Sequence, residues 1–214
     1  CERRIAYLKT VTELLIDDLE WIAKQWGEKG DARLAVTEAV GQNGVRAIFT
    51  GLGSLSYGEL AGERIKLGLM LHDPEEEHDC FADNTHNSHF YNAAGMRNIY
   101  LGSYKRLDGS VVSGPSVSDL VKAQSPETDT KIVASLDATM ASMQVMKTRA
   151  ETIERYDQMI GQGNKDGNAV IMDVVNSLVA QARELERGIA VLKLEAIEFE
   201  GSDSLDAPDK VSAE

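Results

Sequence analysis

The sequence predicts an all-α protein, folded as an up-and-down antiparallel helical bundle. Apolar residues recur at steps of three and four over long stretches, which is the period of a helix buried on one face. No run alternates apolar and polar residues as a half-buried strand would. Several connections between the patterned stretches are short, as between antiparallel neighbours. We therefore assign residues 1–200 to a helical bundle and residues 201–214 to a tail.

The first helix is predicted by an apolar stripe that ends before Gly27 and Gly30. The stretch 31–43 is polar enough to be either a connection or a frayed helical turn. The stripe consists of Ile5, Leu8, Val11, Leu15, Leu19, Ile22 and Trp26.

The next segment predicts two helices. One covers residues 45–52, and Ser56 with Glu59 then forms a capping box that starts another, which continues through Ile65 and Leu69.

The second half of the chain predicts three more helices. A short helix covers residues 87–101 and is followed by a loop over residues 102–115. Ser125 followed by Pro126 is a typical helix start, and the core stripe behind it reaches about Tyr156. A long last helix is marked by apolar residues from Ile171 to Phe199, while the acidic tail behind it has few large apolar residues and is expected to be disordered.

Composition limits the possible partners. The 214 residues are 43% hydrophobic, which is enough for a sizeable core. With 35 acidic residues against 22 basic ones, the net charge of −13 argues against nucleic acid and favours cationic partners. No apolar run approaches the roughly 18 residues of a transmembrane segment. The two cysteines are too few for a disulfide framework.

The functional clue is the segment 72–89, LHDPEEEHDCFADNTHNSHF with its flanking residues. It holds all four histidines of the chain and six carboxylates, with no lysine or arginine. Such a segment is either a solvated acidic loop or a site for a cation. His86 and His89 are three residues apart and share one face if this part is helical.

A mixture of imidazole and carboxylate donors suits a divalent metal such as Zn or Fe(II). The candidate ligands are His78, Asp83, His86 and His89. Glu77 is the candidate catalytic base on a metal-bound water, with a solvated surface position as its alternative. For Cys80 the ordinary interpretation is a small buried apolar residue.

Two stretches carry a resemblance to a known family. GLGSLSYGELAGERI, followed by EEEHDCFADNTHNSHFYNAAGMRNIYLG, resembles the second half of imelysin-like proteins, the iron-regulated protein A group, and the similarity extends from about Ile5 to about Glu198. The resemblance implies one half of a two-bundle protein of the bacterial cell envelope or periplasm, linked to iron acquisition, in a family named for a metallopeptidase. It also implies an N-terminal half as a partner, and an envelope or outer-membrane iron-uptake partner.

The family's metal motif, Gly-x-His-x-x-Glu, is not matched here. The nearest run, MLHDPE at residues 70–75, lacks the glycine, and in the family that motif belongs to the first half. Cys1 opens the chain and is either a lipid-anchor site or the start of a fragment.

Three functions follow as expectations. The first is capture of a metal ion or iron complex at the histidine and carboxylate segment. The second is a metal-dependent peptidase in which the metal activates water. The third is a non-catalytic helical module that presents an acidic face to a partner protein.

Overall fold

The computed structural model describes residues 2–211, which form two compact units with the boundary between Ala47 and Ile48. The sequence predicted a single bundle over residues 1–200, whereas the structure divides the chain after residue 47. Cys1, for which a lipid anchor or a fragment start was expected, lies outside the described residues.

The first unit contains α1 (Glu2–Gln25) and α2 (Asp31–Thr37), which contact each other. The predicted first helix is confirmed, and the stretch left open after it contains α2. None of the residues of α1 is buried, and its apolar stripe is exposed, from 37% for Val11 to 64% for Leu8.

The second unit holds the remaining helices. They are α3 (Asn43–Ser54, which begins in the first unit), a π-helix (Leu55–Lys66), α4 (Leu67–Leu71), α5 (Thr85–Leu101), α6 (Val117–Gln124), α7 (Pro126–Thr152), α8 (Tyr156–Ile160), α9 (Lys165–Val191) and α10 (Asp203–Asp206). Short 3-10 turns cover Pro74–Glu76, Cys80–Ala82 and Pro208–Lys210. The all-α prediction is confirmed.

One small sheet interrupts the helices. β1 (Ser103–Lys105) pairs antiparallel with β2 (Val111–Ser113), with Tyr104 opposite Val112, inside the stretch predicted as a loop. The hairpin begins directly after Gly102, which ends α5. Gly102 has a φ of 58°, a left-handed conformation that glycine adopts without strain.

The core lies where α7 packs against α5 and α9, and where α9 packs against the π-helix. Ser125 caps α7 by accepting the Thr128 N–H, and Pro126 occupies the first turn, as the sequence predicted. Each large apolar side chain buried here contributes roughly 1.5–3 kcal/mol. Fully buried members include Leu60, Ile65, Met96, Ile132, Leu136, Met143, Ile171, Leu178 and Leu185.

The predicted capping box at Ser56 and Glu59 is wrong. The chain runs from α3 into the π-helix without a break, and the fully buried Ser56 hydroxyl donates to the Leu178 carbonyl across the core at 2.9 Å. A capping serine must sit at a helix start, whereas tertiary packing here places Ser56 in the wall between the π-helix and α9.

The C-terminal segment, residues 199–206, packs on a glycine face formed by Gly53, Gly58 and Gly62. Because π-helical bonding widens the helix, residues four or five apart lie on one side. A Cβ at Gly58 would lie 2.3 Å from the Glu200 carbonyl oxygen, and one at Gly62 would lie 2.3 Å from Ser202 Cβ. The glycines therefore admit the segment's backbone.

This packing corrects two predictions. The last long helix ends at Val191, and Phe199 lies against Gly53 instead of continuing the helix. The predicted disordered tail is wrong for residues 201–211, where Ser202 and Ser204 are buried and the Ser204 hydroxyl donates to the Gly62 carbonyl at 3.0 Å. Residues 212–214 lie outside the described residues. Within the described part of the chain, no helix combines the length and apolar character of a membrane crossing.

Candidate functional site

The segment 72–89 joins α4 to α5 and positions the candidate residues. His72 ends α4 in a left-handed conformation, with its Nδ1 atom 2.7 Å from the Ile160 carbonyl oxygen. A carbonyl can only accept, so Nδ1 donates and carries the proton. His72 therefore has a structural role in tying the end of α4 to α8.

Thr85 begins α5, and the helix places His86 and His89 three residues apart on one buried face. His89 is fully buried, and Tyr156 from α8 meets its ring edge-on with the centroids 5.5 Å apart. The exposed His78 also lies close, with its ring centroid 5.9 Å from that of His89. We call Glu77, His78, His86, His89 and Tyr156 the histidine cluster.

Several buried polar atoms of the histidine cluster have no hydrogen-bond partner. They are Glu77 Oε1, His86 Nδ1, both ring nitrogens of His89 and the Tyr156 hydroxyl. Buried polar groups are almost always paired, because an unpaired one loses its interaction with water and gains nothing in return. So many unpaired atoms in one place indicate a site that receives a ligand.

Burial sets the charge of the cluster. It lowers the pKa of His89 to about 3, and the nearby His78 and Arg64 charges act in the same direction. The Arg64 backbone acts in the opposite direction and raises the pKa of His89, although neither ring nitrogen of His89 has a partner within hydrogen-bonding geometry. His89 is consequently neutral throughout the physiological pH range.

Three other groups are shifted toward their neutral forms. Burial lowers the pKa of His86, and the Lys147 ammonium adds to the effect. Burial raises the pKa of Glu77, and a hydrogen bond from Thr85 partly opposes this shift. The Oε1 atom of Glu77 has no partner. Burial, followed by the Glu77 charge, also raises the pKa of Tyr156.

The structure therefore brings together four of the sequence's candidates: Glu77, His78, His86 and His89. Asp83 is placed differently, because it adopts a left-handed conformation and pairs with Arg155 at 3.1 Å on the partly exposed side. Cys80 is half-buried and free. Among residues 2–211, no three or more His, Cys, Asp or Glu side chains are arranged to hold a metal ion.

Sequence reasoning missed Tyr156, Asn87 and Lys147. Tyr156 lies 67 positions beyond His89 in the chain and was assigned to a helix end, so no local pattern connects the two. The Asn87 side chain contacts His86, and Lys147 from α7 contacts Asn87. Only the packing of α5 against α7 brings Lys147 to Asn87.

Comparison with known proteins gives one finding. A peptidase family model described as Imelysin matches residues 2–185. Among curated proteins, no significant match was found.

Proposed function

The chain belongs to the imelysin family, and from this premise we propose that it binds a metal ion, carried in a complex, at the histidine cluster with His78 and His89 as the protein's ligands. One observation carries the proposal: the fully buried imidazole of His89 has no hydrogen-bond partner and lies with its ring centroid 5.9 Å from that of the exposed His78. Ordinary packing would leave an apolar residue at position 89.

The geometry of the pair suits one metal ion. Metal–nitrogen bonds of about 2.0 Å place two imidazoles on one Zn with ring centres roughly 5 to 6 Å apart, and the observed separation is 5.9 Å. A metal binds the neutral imidazole, and burial keeps His89 in that form. Imidazole suits both Zn and Fe.

The number of donors favours a complex over a bare ion. A bare Zn²⁺ takes three or four protein donors, and no such arrangement exists in the described residues. Asp83 is engaged by Arg155. An ion that brings other ligands with it needs only the two imidazoles, and His78 is exposed to receive it.

The test is a Zn²⁺ titration of the full chain, in which calorimetry measures the affinity and thermal unfolding measures the gain in stability. We expect wild type to bind the bare ion weakly, through the two imidazoles alone, and to gain about 2.7 kcal/mol of stability when Zn²⁺ is one hundred times above Kd. His78→Ala removes an exposed ligand without disturbing the core and should weaken binding at least tenfold. Phe81→Ala is the control, since Phe81 is fully exposed in the same segment. Equal affinity in wild type and His78→Ala would refute the assignment.

A metallopeptidase is the second candidate, and Glu77 is the observation that favours it. Its carboxylate is buried, has an unpaired oxygen and directly precedes His78. A carboxylate in this position can accept a proton from a water on the metal. Glu77→Gln should then abolish chelator-sensitive peptide cleavage while Zn²⁺ binding is kept; loss of both together, or no cleavage by wild type, argues against it.

We also infer a role in iron acquisition in the bacterial cell envelope. The support is the family resemblance of the segments around residues 51–65 and 75–102. Fractionation of cells grown with and without iron tests it: the protein should increase under iron limitation and appear in the envelope or periplasmic fraction. A constant cytoplasmic level would contradict it.

A further inference from the structure

We propose that His86 acts in the histidine cluster as a hydrogen-bond donor and not as a metal ligand, and that its Nδ1–H binds a carboxylate oxygen of the metal complex. Asn87 and Lys147 are the positioning residues that fix this proton. The inference rests on the proposed function and adds the chemical class of the ligand, a carboxylate-bearing metal chelate.

The argument begins at Lys147, because an ammonium group can donate hydrogen bonds but never accept them. Its Nζ atom lies 2.5 Å from the side-chain oxygen of Asn87 and also contacts the Glu151 carboxylate. The cation thereby determines which way the Asn87 amide points: Oδ1 toward Lys147, and Nδ2 away from it.

The Asn87 amide then determines the His86 tautomer. Asn87 Nδ2 donates one hydrogen to Asn84 Oδ1 at 2.9 Å and lies 3.1 Å from His86 Nε2. An amide NH₂ has no lone pair to offer, so His86 Nε2 must accept. In the neutral ring the proton is therefore on Nδ1, which is buried without a partner.

This tautomer rules out metal coordination through Nδ1. Moving the proton to Nε2 would free Nδ1, but it would set an N–H group against the Asn87 amide hydrogens at 3.1 Å. The arrangement instead presents an unsatisfied buried donor, which an oxygen atom of a ligand can satisfy.

The surrounding charge indicates which oxygen ligand is accepted. Asp79, Asp83 and Asp157 all lie close enough for their charges to act on Glu77. These carboxylates disfavour a free polycarboxylate by like-charge repulsion. A metal chelate carries its own cation, which the His78 and His89 pair can receive while His86 holds a carboxylate oxygen of the same ligand.

The first part of the test reads the tautomer directly. Two-bond ¹H–¹⁵N correlation spectra of metal-free protein, labelled at histidine nitrogen and recorded at pH 8, distinguish protonated from unprotonated ring nitrogens. We expect Nδ1–H for His86 in wild type. In Asn87→Asp the new carboxylate accepts from Nε2–H, so the proton should move to Nε2. An Nε2–H tautomer in wild type would overturn the proposal.

Asn84→Asp is the matched control. It adds the same negative charge three residues away, and an aspartate oxygen can still accept from Asn87 Nδ2 as Asn84 Oδ1 does. We expect it to keep the wild-type tautomer. A shift of the proton in this variant would mean that added charge, and not the hydrogen bond, sets the tautomer, and would overturn the role of Asn87.

The second part measures Zn²⁺ affinity with and without citrate as the carboxylate probe, again at pH 8. In wild type and Asn84→Asp, citrate should strengthen Zn²⁺ binding by about tenfold, the contribution of one charge-assisted hydrogen bond. In Asn87→Asp, citrate should only compete for the ion and weaken binding. If citrate weakens Zn²⁺ binding in all three proteins, the carboxylate contact is refuted while metal binding by the cluster stands. If wild type binds Zn²⁺ neither alone nor with citrate, the proposed function fails and the ligand class fails with it.

Discussion

Lowering the pH from 7 to 5 tests the burial of His89. The folded protein keeps this imidazole neutral because burial lowers its pKa to about 3, whereas the unfolded chain has the ordinary value of 6.5. Between these values the unfolded state binds more protons than the folded state. Stability is therefore fully present above pH 6.5 and is lost progressively as the pH falls toward 3.

The expected magnitude follows from the two pKa values. A pH of 5 is about 1.5 units below the pKa of the imidazole in the unfolded chain. Protonation therefore stabilises the unfolded chain, and at 1.36 kcal/mol per unit it lowers the stability of the fold by about 2 kcal/mol. At pH 7 the same contribution is close to zero, because the pH then lies above both pKa values. His89→Leu removes the titrating group and fills the site with an apolar side chain, which costs little where no hydrogen bond is lost.

The assay is urea unfolding of wild type and His89→Leu at pH 7 and pH 5 with a chelator present. The variant's stability relative to wild type should increase by about 2 kcal/mol between the two pH values. His86 has a lowered pKa and adds a slope of the same sign, while the raised pKa of Glu77 gives the opposite slope; both remain in the variant, so the comparison isolates His89.

His78→Leu is the control, because it makes the same substitution at the exposed imidazole of the same cluster. It should show no comparable change between pH 7 and pH 5. A change below about 0.5 kcal/mol in His89→Leu would show that water or a charge partner reaches the His89 ring, and the argument for a preserved neutral ligand would fail with it.

Two further predictions concern the C-terminal segment, and a third concerns α3. Gly58→Ala should release the segment, because the new Cβ would lie 2.3 Å from the Glu200 carbonyl oxygen, and faster amide exchange over residues 199–206 would report it. Gly51→Ala meets nothing within 4 Å and should stabilise the helix by about 0.5–1 kcal/mol in thermal unfolding; destabilisation would contradict the helix-propensity argument. Tyr57→Phe loses the 2.6 Å bond to Asp206 and should increase proteolysis of the segment. That bond raises the pKa of Tyr57 to about 12, so its contribution is present below pH 10 and is lost as the pH rises through 12; unchanged proteolysis of the variant would refute it.

Local sequence patterns predicted the elements whose signals are complete within a few residues. Ser125 and Pro126 supply both the cap and the fixed first turn of α7, and the start of that helix is confirmed. The stripe from Ile5 to Trp26 predicted α1 even though the structure leaves it exposed, because helical periodicity is a property of the segment itself. The clustering of histidines likewise indicated the segment in which the candidate site lies.

Local patterns failed where a distant segment decides the outcome. Ser56 and Glu59 match a capping box, yet packing against α9 continues the helix through them. The acidic composition of residues 201–211 predicted disorder, yet the glycine face of the π-helix holds that backbone. Composition measures how much apolar surface a segment has. It cannot show that a complementary glycine face lies about 140 residues earlier in the chain.

The sequence by itself determined the helical class, the family and the segment that holds the candidate residues. The tertiary structure alone decided what each candidate in that segment does: His89 is buried beneath His78, Asp83 is turned toward Arg155, and Asn87 is oriented by Lys147. The physical reason is that residue type sets which protons and lone pairs a side chain has, whereas burial and neighbours from other helices set which of them are available.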